Sequence, residues 1–251
     1  MSAPQPRPVR LVPPDGRERA VCPLGVCDGS GWVLGPDVVA RPCDCREGRL
    51  KRRRARGVSS TIPQRYRGVS FDRPPVSDLA SHPRSRHVVS EIRAFVDDLD
   101  LRLGEGRGLW LMGNVGTGKT TLAMLVSKAA VEAGRSVAIY SLPRLLARIR
   151  RTYDAEAGED SYLQFFGRLT SVDLLHLDDL GAEKSSDWVL EQLYAIVDER
   201  YQTERSMVVT TNLEPAELEE QIGPRTVSRL VEICGDPLPL FGDDLRYRPP
   251  E

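Results

Sequence analysis

The stretch Leu109-Trp-Leu-Met-Gly-Asn-Val-Gly-Thr-Gly-Lys-Thr-Thr-Leu-Ala-Met124 decides the fold. Leu109–Met112 is wholly apolar and reads as a short strand buried on both faces, as in a parallel sheet. The next eight residues fit G-x-x-x-x-G-K-[ST]. Lys119–Ala133 reads as a helix, with Gly134 as its stop. Glycines let successive backbone N–H groups turn inward around phosphate oxygens, where a Cβ would obstruct. The start of the following helix adds its positive end. Gly113, Asn114, Val115, Gly116, Thr117, Gly118, Lys119, Thr120 and Thr121 are therefore the expected nucleotide cradle. Lys119 is expected to reach the β- and γ-phosphates, and Thr120 to offer its hydroxyl to magnesium.

Further along, Leu174-Leu-His-Leu-Asp178-Asp179 reads as a buried strand ending in two carboxylates. Such an ending places both acids at the sheet edge beside the phosphate loop. Asp178 is expected to hold magnesium, and Asp179 to polarise the attacking water. Val208-Val-Thr-Thr-Asn212 is another apolar strand with a polar tip, from which Asn212 can reach that water or the γ-phosphate. Pro224-Arg225-Thr-Val-Ser-Arg229-Leu230 puts two guanidinium groups on one helical face. A guanidinium can stabilise charge on a transferring phosphoryl group. No Asn/Thr-Lys-x-Asp tetrapeptide follows the phosphate loop, which favours adenine over guanine. Two motifs alone leave a small-molecule kinase open. Strands and helices alternate from Leu109 to Pro215, so the fold class is α/β with a parallel sheet.

The chain of 251 residues accommodates one medium domain and a small appendage. Its charge is uneven. Residues 1–57 carry 12 Lys/Arg and 6 Asp/Glu, a balance of +6 on a body of −7. Residues 1–20 hold five of the 19 prolines and no periodicity, and are expected to be disordered. Residues 21–57 contain Cys22, Cys27, Cys43 and Cys45, followed by a basic linker; residues 58–251 form the expected ATPase domain. Four thiolates in two close pairs can enclose zinc tetrahedrally. C-x4-C and C-x-C are unusual spacings, so free or redox thiols stay open beside zinc. Cys234 reads as a buried structural thiol. His82, His87 and His176 are not clustered and receive no chemistry. No apolar run spans a membrane and no signal core opens the chain, so a cytoplasmic location is expected.

From about Ile62 to Arg246 these motifs resemble the AAA+ ATPases of the DnaC/IstB type, the bacterial and phage helicase-loader and insertion-sequence ATP-binding family. Ile62-Pro-Gln-Arg-Tyr-Arg with Ser70-Phe71 resembles the segment before the ATPase core. GNVGTGKTTLA resembles Walker A, LLHLDDLG Walker B with Asp at its second acidic position, and VVTTN sensor 1. Pro224–Leu230 resembles the arginine-finger box, which implies Arg229 as a finger acting on a neighbouring subunit and Arg225 beside it. Gly242-Asp-Asp-Leu-Arg246 is similar to a Gly-x-x-Tyr-Arg segment, with Leu245 at the aromatic position; it implies Arg246 as sensor 2. A self-oligomer follows from a finger in trans.

Arg144, Arg148 and Arg151 form a stripe at i, i+4 and i+7, with Arg150 beside it. The stripe reads either as a solvated face or, as the resemblance implies, as a contact for single-stranded DNA. The cysteine module resembles those with which some loaders dock on a helicase. The resulting expectation is an ATP-dependent helicase loader with ATP, Mg2+ and Zn2+ as cofactors and a DnaB-like replicative helicase as partner. A transposition helper ATPase that recruits a transposase and a non-hydrolysing nucleotide-gated adaptor are the alternatives.

Overall fold

The structure, a computed structural model, describes residues 22, 24–34, 39–46, 61–153, 162–182, 186–242 and 244–245. The readings of residues 1–20, of the basic linker and of Arg246 lie outside them. The chain divides into two compact units, Met1–Leu50 and Lys51–Glu251. In the first, β1 (Trp32–Leu34) and β2 (Ala40–Pro42) pair antiparallel, Val33 opposite Arg41.

The second unit opens with a 3-10 turn at Gln64–Tyr66 and three helices: α1 (Val76–Ser81), α2 (Arg86–Asp97) and α3 (Leu99–Gly104). Then come β3 (Leu109–Met112), α4 (Lys119–Glu132), β4 (Val137–Ser141), α5 (Leu142–Arg151) and α6 (Tyr162–Ser171). They are followed by β5 (Leu174–Leu180), α7 (Asp187–Gln202), β6 (Ser206–Thr211), α8 (Pro215–Ile222), α9 (Pro224–Cys234) and β7 (Leu238–Pro239). The sheet order is β4-β5-β6-β3-β7, with every pairing parallel. The α/β reading holds. β7 has two residues and is too short to show any periodicity in the sequence.

Successive strand residues point to opposite faces, and each face has its own core. Trp110, Ala138, Leu175 and Val209 pack against α5 to α9. Leu109, Leu111, Ile139 and Val208 pack against α1 to α4. Local chemistry sets the helix ends. Ser186 Oγ accepts the Val189 N–H at the start of α7, and Glu217 accepts the Glu214 N–H in a capping box ahead of Pro215.

The side of the sheet away from the phosphate loop is tied by Arg200. Its buried guanidinium donates to the carbonyls of Leu169, Thr170, Val172, Asp173 and Ser206, joining α6, β5 and β6. Burial pushes its pKa down to about 9, so it stays charged at neutral pH. Each buried carbonyl left unpaired without it would cost about 1–3 kcal/mol.

Candidate nucleotide site and cysteine cluster

β3 delivers the phosphate loop at the C-terminal edge of the sheet. Gly113, Gly116 and Gly118 have φ of 138°, 81° and 100°, in the region that disfavours a side chain. A Cβ at Gly113 would collide with the Leu240 carbonyl, and one at Gly116 with the Asp244 carboxylate. The residues after β7 therefore return over the loop, where the Leu245 N–H donates to the Gly116 carbonyl at 3.1 Å. Lys119 is buried, its Nζ 2.8 Å from the Gly113 carbonyl and 2.5 Å from that of Asn114.

The two carboxylates do not end their strand, because β5 runs on to Leu180. Leu177 pairs with Val209 and Leu180 with Thr211, so β5 carries one residue more than β6 between these pairs. This is a bulge, with Asp179 at φ 62°. Thr210 pins it: its Oγ1 donates to Asp178 Oδ1 at 2.8 Å and accepts the Asp179 N–H at 2.9 Å. Thr211 Oγ1 adds a bond to the Leu180 carbonyl at 2.7 Å. Asp178 Oδ1 also accepts the Thr120 hydroxyl at 2.9 Å, which brings the two expected magnesium ligands together. Asp179 Oδ1 accepts from Asn212 Nδ2 at 2.8 Å. A cavity of about 1140 Å³ opens over these groups, with Thr121 in its wall. Arg65, Tyr66, Val69, Pro74, Pro75 and Asp78, all from the segment ahead of β3, also line it.

Two further side chains reach Asp178 that the sequence does not single out. Thr210 could have been found, since two hydroxyls precede Asn212 in an otherwise apolar strand. His176 was assigned no chemistry; the structure buries it beneath Asp178. Its Nδ1 is 2.8 Å from Ser127 Oγ, and its Nε2 is 4.0 Å from Asp178 Oδ1. Burial pushes its pKa down to about 4 against the pull of Asp178, so the ring is neutral. No local pattern marks this pair, which meets across 49 residues.

Arg229 lies on α9 against α7 of its own chain. Its Nε is 3.3 Å from Asp198 Oδ1, its Nη1 3.0 Å from Glu232 Oε1, and its guanidinium 4.1 Å from the Tyr201 ring centre. Arg225 is exposed on the same helix. On α5, Leu142, Leu145, Leu146 and Ile149 are buried. Arg144, Arg148 and Arg151 line a second cavity, of about 840 Å³, together with Arg65 and Tyr66. Arg150, beside the stripe, places its guanidinium 4.7 Å from the Trp188 ring centre.

In the N-terminal unit the four Sγ atoms lie within 4.8 Å of one another. Cys22 and Cys43 are 4.0 Å apart, Cys27 and Cys45 3.5 Å. Tetrahedral zinc with bonds of about 2.3 Å separates its sulfurs by about 3.8 Å, so the set fits one ion. The backbone N–H groups of Cys27, Val26 and Leu24 draw Cys22 down to about 6. Burial and the three neighbouring sulfurs push Cys45 up to about 12. Four thiolates at this spacing repel one another unless a cation lies between them. Among the described residues no helix is long and apolar enough to cross a membrane.

A phosphate loop after β3, paired acids on the adjacent half of a parallel sheet and an asparagine at the tip of β6 define a P-loop nucleotide-binding protein with an AAA+ core. The chain belongs to the IstB-like ATP binding protein family, which matches residues 103–231. It is 23% identical over 202 residues to the replicative helicase loader DnaI of Bacillus subtilis, covering 75% of this chain and 62% of that one. It is 26% identical over 144 residues to the replicative helicase loader DnaC of Escherichia coli K12, covering 57% of each. The chain thus spans about three fifths of the length of these relatives. A crystal structure of the DnaC helicase loader superposes with a TM-score of 0.60 at 28% identity, over 71% of this chain and 99% of that one.

Proposed function

We propose that this protein is an ATP-dependent helicase loader that binds single-stranded DNA and delivers a DnaB-like replicative helicase to it in the cytoplasm. The observation that carries the ATPase reading is the joined set Thr120–Asp178–Thr210 and Asp179–Asn212. The kinship with two replicative helicase loaders supports the choice of partner.

The loop from Gly113 to Thr121 cradles the phosphates. Thr120 and Asp178 hold magnesium, which screens charge on the β- and γ-phosphates when bound. Lys119 leaves its loop carbonyls for the phosphates, Arg246 reads the γ-phosphate, and Asp179 orients water with Asn212 as its brace. Arg229, with Arg225 beside it, completes the site of a neighbouring subunit in a self-oligomer. Arg144, Arg148 and Arg151 track DNA phosphates, with Arg65 and Tyr66 across the cavity. Cys22, Cys27, Cys43 and Cys45 hold zinc and shape the helicase-docking module. Leu24, Val26, Trp32, Leu34 and Val39 are exposed on that unit, apolar surface that a partner protein would cover.

The test is capture of partners from cell extract by D179N, with and without ATP. Recovery of a hexameric replicative helicase, lost when residues 1–57 are deleted, is expected. Recovery of a transposase would overturn the loader reading in favour of transposition. Multiple-turnover, DNA-stimulated hydrolysis by the unmodified protein is expected; its absence would leave a nucleotide-gated adaptor.

A further inference from the structure

His176 is fully buried on the face of β5 that packs against α4, two residues before Asp178 on the same strand face. Its Nε2 has no hydrogen-bond partner among the described residues, although it sits 4.0 Å from Asp178 Oδ1. Its other nitrogen is engaged by Ser127, from the middle of the helix that begins at the phosphate loop. A neutral imidazole carries one proton, and the partner of one nitrogen selects the tautomer. A bare Nε2 lone pair would face a carboxylate oxygen; an Nε2–H would present its positive end instead. The second arrangement is electrostatically favoured, and it requires Ser127 Oγ to donate to Nδ1.

We propose that His176 is a positioning residue: Ser127 fixes its tautomer, and the Nε2–H steadies Asp178 from beneath while Thr120 and Thr210 hold it from the sides. The proposal rests on the reading of Asp178 as a magnesium ligand. Outer groups that orient a ligating side chain support its metal affinity; here the Nε2–H acts on Asp178 Oδ1 through its field at 4.0 Å, beyond hydrogen-bond distance. Asp178 Oδ1 accepts two hydroxyl protons, both of which can rotate. The imidazole cannot rotate its N–H out of plane in a packed site, so it supplies the rigid third direction.

The test is binding of a fluorescent non-hydrolysable ATP analogue to the full chain, titrated with Mg2+. H176F should raise the Mg2+ midpoint by ~10-fold or more, with affinity in EDTA unchanged. H176Q keeps an N–H donor on a side chain of similar reach and should recover most of that loss. S127A removes only the partner of Nδ1 and should shift the midpoint in the same direction. Were H176F to fail to fold, H176Q and S127A carry the test. A merely structural histidine would lower the melting temperature and leave the midpoint in place; an unshifted midpoint in H176F and S127A overturns the proposal. D178N separates the two layers. If it abolishes the Mg2+ response while H176F and S127A are unshifted, only the role of His176 fails. If D178N retains that response, the magnesium reading of Asp178 fails and takes this proposal with it.

Discussion

Asn212 Nδ2 donates to Asp179 Oδ1 at 2.8 Å, linking the tip of β6 to the bulge of β5. This bond orients the carboxylate that would polarise water. D179N is expected to bind ATP normally and to lose ~10²-fold or more in turnover. N212A should lose turnover by a smaller factor, again with binding retained. The double variant should be no slower than D179N alone, because the two groups act as a unit. Turnover and labelled-nucleotide binding, measured side by side, check all three.

Arg229 is held at rest by Asp198 and Glu232 of its own chain. For it to serve a neighbour, both contacts must yield. R229A should lower hydrolysis by ~10³-fold and leave nucleotide binding intact. Mixing R229A with D179N should restore part of the activity, since some interfaces then pair an intact acid with an intact finger. A mixture with no more activity than either variant alone would rule out action in trans.

The arginines of α5 that line the second cavity can be tested by salt. R148A/R151A should weaken single-stranded DNA binding and reduce the slope of log K against log salt by about 1.4, two phosphate contacts' worth. ATP binding should not change. A binding curve identical to the unmodified protein at low salt would return the stripe to a solvated face.

The cysteine unit is small, and its buried core is formed by Cys22, Cys43 and Cys45. If it holds zinc as proposed, such a core would depend on that metal for folding. Purified protein is expected to carry one zinc per chain by elemental analysis. C43S should reduce that content, abolish helicase capture, and leave ATP binding by the second unit intact.

Cys234 is buried, and desolvation pushes its thiol from 9.0 up to about 12, with Arg200 pulling the other way. The folded protein therefore keeps a proton that the unfolded chain releases above pH 9. Stability from this group is full below pH 9 and is lost as pH rises towards 12. The stability difference between the unmodified protein and C234A should shrink over that window, read from urea unfolding midpoints. Native Cys234 should resist alkylation at pH 8.

What the sequence could show was local. The phosphate loop, the strand before it and the helix after it form one contiguous segment, and the glycine requirement there is a property of backbone conformation alone. Asp178, Asp179 and Asn212 were legible because each sits at the polar end of an apolar run. The first core strand, Leu109–Met112, is the stretch its sequence predicts, residue for residue, since it is wholly apolar and followed directly by glycine. By sequence, Asp178 and Asp179 look like the end of a buried strand, whereas β5 runs on through them to Leu180. Thr210 holds them inside it instead.

The sequence by itself therefore determined the class of the fold, the residue types of the phosphate loop and the four-thiol composition of the N-terminal unit. Only the tertiary structure decided which groups meet. It placed Cys22 beside Cys43 and Cys27 beside Cys45, set Arg229 on Asp198, brought Leu240 over Gly113 and put His176 between Ser127 and Asp178. These contacts depend on strand register and helix packing. Register is set by the burial of whole faces and by one extra residue in β5, so it is a property of the assembled sheet that no short window of sequence contains.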